Sequence, residues 1–76
     1  MQTLNEFVLL KALFVPSLHD AVLSQDEPTI LSIIKTKYQY EIEEGFFKWE
    51  PLDLEWLKRE HIAQCNDKEL INRMLY

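Results

Sequence analysis

One glycine, Gly45, serves the whole 76-residue chain. Glycine adopts positive φ without steric cost, so a tight turn has one ready position, directly after Glu44. The same scarcity removes chemistry. Neither a phosphate-cradling glycine-rich loop nor a Gly-x-Ser-x-Gly nucleophile elbow can be written with one glycine, which excludes most nucleotide and hydrolase sites. With 47% apolar residues and three prolines, the chain is expected to form a helix-rich globule, one small domain over 1–76.

The single cysteine, Cys65, leaves no internal disulfide framework and favours a reducing compartment, most simply the cytoplasm. Residues 7–15, FVLLKALFV, are the most apolar stretch, far short of the roughly 20 residues that span a bilayer. The residues before them carry Glu6 and no base, unlike the basic start of a secretory signal. Neither membrane insertion nor export is expected.

Thr3-Leu-Asn-Glu6 has capping-box spacing and starts a first helix at Leu4, with Pro16 as its stop. That helix is apolar almost all round, with Asn5, Glu6 and Lys11 the main exceptions. It is either central to the fold or partly covered by a second molecule, and a homodimer through it is one expectation. Ser17 can cap a second helix, Leu18 to about Ser24. Asp26-Glu27-Pro28 opens a third, whose stripe of Ile30, Leu31, Ile33 and Ile34 runs to about Thr36. Tyr38-Gln-Tyr40-Glu-Ile42-Glu then alternates as a half-buried strand does, Gly45 supplies a turn, and Phe46-Phe-Lys-Trp49 returns, predicting a β-hairpin over 38–50. Asp53 caps a fourth helix, with Leu52 and Leu57 as a hydrophobic staple and Leu54, Leu57, His61, Ile62 and Cys65 on one face; Trp56 points elsewhere. Asn66-Asp67 breaks the chain before a last helix with a stripe of Leu70, Ile71, Met74 and Leu75, ending at Tyr76. The expected fold is mainly α with one hairpin, a small α+β arrangement of about five short helices.

The net charge of −5 is not spread evenly. Residues 41–55 hold Glu41, Glu43, Glu44, Glu50, Asp53 and Glu55 against Lys48 alone, while the rest of the chain carries seven acids and seven bases. Phe46, Phe47 and Trp49 share that window and Trp56 borders it. Aromatic anchors ringed by carboxylates suit an interaction surface: rings desolvate, and like charge steers a basic partner. Taken singly, strand aromatics ordinarily pack a core. Trp56 is the exception, since it leaves its helix's apolar stripe.

Catalytic constellations are not expected. Glu41 and Glu43 would lie on the solvent face of a strand with no cleft. His61 and Cys65, at i and i+4, would share a helix face, but two ligands do not make a structural zinc site and His19 is distant in sequence. Packing of His61 beside an inert Cys65 is the expected role, with no metal and no cofactor.

Pro16-Ser-Leu-His-Asp-Ala-Val22 followed by Thr29-Ile-Leu-Ser-Ile-Ile34 resembles the ankyrin repeat, Thr-Pro-Leu-His-x-Ala-Ala and then Ile-Val-x-x-Leu-Leu. Trp49-Glu-Pro-Leu-Asp53 and Lys68-Glu-Leu-Ile-Asn-Arg-Met-Leu75 are similar to the opening and second helix of a following unit. Ser17 is an insertion in the pattern, and Gln25 stands where it has glycine. The resemblance implies an interaction module that binds partners through hairpin tips and a concave face.

The expected function is a small acidic protein-binding module, an inhibitor or adaptor, docking the 41–56 surface on a basic site of a larger protein. Analogy with chains that phages and mobile elements direct against host machinery places it in that setting. The other class is a winged helix–turn–helix regulator reading nucleic acid through Ser32, Lys35 and Lys37. Its wing would carry the whole net negative charge, which phosphates repel, so nucleic acid is not the expected partner.

Overall fold

The computed structural model describes the backbone of residues 2–75 and the side chains of residues 2–66. Among the described residues, five helices and one short strand pair follow in the order β1 (Gln2–Thr3), α1 (Leu4–Lys11), α2 (Pro16–Leu23), α3 (Glu27–Lys37), α4 (Gln39–Glu43), β2 (Phe47–Lys48) and α5 (Leu54–Leu75). The mainly α architecture agrees with the sequence. No helix among the described residues is long and apolar enough to cross a membrane.

The first helix begins where its capping box predicts, with the Glu6 N–H donating to the Thr3 hydroxyl. It ends at Lys11, four residues earlier than Val15. Turn bonds to the Leu10 and Lys11 carbonyls fold the chain back, and Pro16 opens α2 instead of closing α1. Val15 is extended, as a residue before proline prefers, and proline's fixed φ suits the first helical turn. Ser17 therefore lies inside α2 and caps nothing; Val15 is the N-cap and makes no side-chain bond. The third helix starts as expected, Asp26 accepting from the Thr29 N–H and hydroxyl.

The predicted hairpin over 38–50 does not form. Residues 39–43 are helical, and β2 pairs in parallel with the N-terminal strand, Gln2 opposite Phe47 and Thr3 opposite Lys48. Tyr38 and Ile42 satisfy two periods at once: alternate in a strand, or one turn apart on a helix. The helix wins because it sets both against the core and leaves Tyr40 outside.

Gly45 is a helix stop, not a hairpin turn. At φ +70° it takes the left-handed position after the Glu44 C-cap, with its N–H on the Ile42 carbonyl at 3.2 Å and the Phe46 N–H on the Glu41 carbonyl at 3.0 Å. These are the paired bonds of a Schellman motif. Gln25 repeats them after α2, with φ +55° and bonds from Gln25 to Val22 and from Asp26 to Ala21. A Cβ is disfavoured in this region, so Gln25→Gly is expected to raise stability by about 0.5–1 kcal/mol and Gly45→Ala to lower it by about 1 kcal/mol. Urea unfolding midpoints at constant slope would measure both.

The last two predicted helices are one. Nothing in Leu54–Leu75 is glycine or proline, and Asn66-Asp67 favour helix ends without forcing one. The predicted stripe of Leu70, Ile71, Met74 and Leu75, and Tyr76 itself, lie outside the described side chains. The residues resembling a first ankyrin unit lie on α2 and α3, which pack together; those of the second unit, 49–53 and 68–75, are the entry to α5 and its end.

Leu4, Phe7, Val8, Leu18, Ile30, Ile34 and Leu57 form the centre of the core, closed on one side by Phe47. Phe47 stacks on Phe7 with centroids 4.4 Å apart, and Tyr38 meets Phe7 edge-on at 5.2 Å. The Lys11 ammonium lies 5.4 Å from the Phe7 ring and 5.3 Å from the Tyr38 ring, a cation–π cap on that stack.

Candidate functional site

Asn5, on the first turn of α1, organises the acidic window. Although Asn is polar, it is buried, because its amide meets a full set of partners. Its Nδ2 donates to Glu50 Oε1 at 2.8 Å and to the Pro51 carbonyl at 3.0 Å, and its Oδ1 accepts from the Asp53 N–H at 2.8 Å. Asp53 in turn caps α5, accepting from the Trp56 N–H at 3.2 Å. The segment between β2 and α5 is thus clipped to the N-terminal turn.

An open cleft of about 290 Å3 results, lined by Thr3, Asn5, Glu6, Glu50, Asp53 and Trp56. Three carboxylates and an indole line one hollow. Hydrogen bonds from Thr3 and then Asn5 hold the Glu50 carboxyl below the usual range, so it stays ionised into mild acid. Trp56, predicted to leave its helix's apolar face, is half-buried, packing on the core while lining the cleft. A guanidinium or ammonium is the complementary guest, paired with carboxylates and set against an aromatic ring.

The other window residues separate into an exposed group and structural members. Glu43 and Glu44 are exposed on and after α4, and Glu41 is half-buried beside Tyr38; burial first, and Glu41 second, push the Tyr38 hydroxyl up. Phe46 is 52% exposed and meets the 62% exposed Tyr40 edge-on, and Trp49 is 45% exposed. Phe47 corrects the expectation of four anchors: it is only 5% exposed and belongs to the core, with Trp49 edge-on against it. Phe46 closes the helix stop ahead of β2 and faces outward, while Phe47, the first residue of β2, faces the core. Glu55 lies in a different hollow with Gln25, Lys58, Arg59 and Ile62, where cations offset it. Ile62, expected on the buried face of α5, is exposed.

Sequence reasoning missed Thr3, Asn5 and Glu6 as cleft residues, since they stand more than forty positions from Glu50. The capping box was the visible signal there, but it speaks only of the helix start. The sequence pattern places Tyr40 on a strand face, and the structure pairs it with Phe46 instead.

A second cluster lies where α2 packs on α5. His19, 42 residues from His61, brings its Nδ1 within 2.6 Å of His61 Nε2, so the two histidines far apart in sequence are neighbours in the fold. Cys65 Sγ is 3.7 Å from His61 Nε2 and 3.9 Å from His19 Nδ1. His61 is fully buried, with His19 and Cys65 half-buried. Burial, and then the neighbouring His19, hold His61 below its ordinary value, which favours its neutral imidazole.

No protein-family model matches the chain, and no curated protein or solved structure shows significant similarity to it.

Proposed function

We propose that the chain is a protein-binding module, an inhibitor or adaptor acting in the cytoplasm, that docks its acidic–aromatic surface on a basic site of a larger protein. One observation carries this: Glu6, Glu50 and Asp53 converge on a cleft that also contains Trp56. Charge alone would make a solvated face; charge gathered around a half-buried indole provides a seat for one arginine or lysine. Around it, Tyr40, Phe46 and Trp49 offer desolvating contacts, and Glu43 and Glu44 supply long-range attraction. The role is binding and not catalysis.

The test uses the tagged full chain and the double variant Glu43→Lys/Glu44→Lys, both residues being exposed. A partner with a basic surface should be recovered with the wild-type chain and released by moderate salt, and its association rate should fall about tenfold or more with the reversed charges. Recovery that is indifferent to both salt and charge reversal would contradict the proposal.

A further inference from the structure

The pairing of His19 with His61 has a consequence separate from the acidic cleft. We propose that His19, His61 and Cys65 form a zinc site with three protein ligands and a fourth position open to solvent, stapling α2 to α5. Each residue offers one ligand atom, and the three atoms lie within 4.8 Å of one another. They come from two helices: His61 and Cys65 one turn apart on α5, and His19 reaching across from α2.

Distances decide whether an ion fits. With Zn–N near 2.0–2.1 Å and Zn–S near 2.3 Å, a tetrahedral ion sets its nitrogen and sulfur ligands about 3.6 Å apart and its nitrogens about 3.3 Å apart. The two sulfur–nitrogen separations, 3.7 and 3.9 Å, already approach that value. The nitrogens, at 2.6 Å, share a hydrogen bond and must part by about 0.7 Å to admit the ion. A rotation of the half-buried His19 ring supplies this, since His61 is held in the core.

The donor set selects the metal class. Two imidazoles and a thiolate are borderline-soft ligands that suit zinc, whereas calcium and magnesium take oxygen. On binding, the ring proton shared by the pair moves to the other nitrogen of its own imidazole, and the Cys65 thiol releases its proton to solvent. Water takes the fourth position, reached past the half-exposed His19 and Cys65.

Cobalt(II), titrated into the reduced, chelator-treated full chain, tests the site. One equivalent should saturate it, producing thiolate-to-cobalt charge-transfer absorption and the intense visible bands of a four-coordinate ion. Zinc should displace the cobalt and raise the thermal midpoint. Cys65→Ser should lose the charge-transfer absorption, and His19→Gln should weaken binding roughly 100-fold, each with helical circular dichroism retained. His61 is left in place because its burial makes it a folding residue. A wild-type chain with neither charge-transfer absorption nor a zinc-dependent midpoint would overturn the site whatever the variants do. So would a Cys65→Ser chain that binds cobalt with unchanged spectrum and affinity.

Discussion

Replacing Asn5 with leucine is expected to destabilise the chain by about 2 kcal/mol, because it removes the side-chain hydrogen bonds to the Pro51 carbonyl and the Asp53 N–H, each worth about 1 kcal/mol net. That is a large share of the total for a domain this size. The loss is local: Asn5 ties Glu50, Pro51 and Asp53 to the first turn of α1. Denaturant titration of Asn5→Leu would measure it. The pH dependence supplies an independent signature. Glu50 has a folded-state value below its unfolded one, so its contribution is fully present above the unfolded value, about 4.3, and disappears as pH falls through the folded value. In Asn5→Leu one source of that depression is gone, and stability should fall less steeply on acidification below about pH 4.3. An unchanged midpoint and an unchanged acid limb would mean that the clip does not hold the cleft.

Phe47→Ala should remove about 3 kcal/mol, whereas Phe46→Ala should change stability by less than about 0.5 kcal/mol. The two residues are adjacent and chemically identical, and the difference is position alone. Phe47 fills the gap between Phe7 and Trp49, while Phe46 packs edge-on against exposed Tyr40. Thermal unfolding of the pair would separate them, and equal losses would contradict the burial of Phe47 beside exposed Phe46. If the docking proposal holds, Phe46→Ala should weaken the partner complex despite its stable fold.

The helical elements were largely legible because their signals are local. The Thr3 capping box, the Asp26 cap with Pro28 and the isoleucine stripe each involve residues within one or two turns, and each marks a real boundary. The region from 38 to 50 failed for a physical reason: Tyr38, Tyr40 and Ile42 fit a strand, but Tyr38 and Ile42 equally fit one helix face. The choice between them depends on a core surface that no local pattern displays. Gly45 takes the positive φ that its residue type predicts, but in a helix stop and not a hairpin turn, since a left-handed residue ends a helix as readily as it turns a hairpin. Gln25, the position where the ankyrin-like pattern has glycine, shows the same conformation carried by a side chain.

The candidate site divides in the same way. The charge concentration in 41–55 is a sum over neighbours in sequence, so composition by window exposes it. What makes that charge a cleft is Asn5, and what makes His61 and Cys65 a cluster is His19; both arrive from over forty residues away. Such pairings depend on tertiary packing, and a single sequence carries no local trace of them.

Backbone amide and indole resonances of the 15N-labelled chain, followed while a short blocked diarginine peptide is added, would show where a basic group settles. Changes should concentrate on Thr3–Glu6, on Glu50, Leu52 and Asp53, and on the Trp56 indole, and should largely vanish in Glu6→Lys, whose side chain is exposed. Absent changes, or changes spread evenly over remote acids such as Asp20, Asp26 and Glu27, would show that the cleft does not receive a basic side chain and would contradict the proposed function.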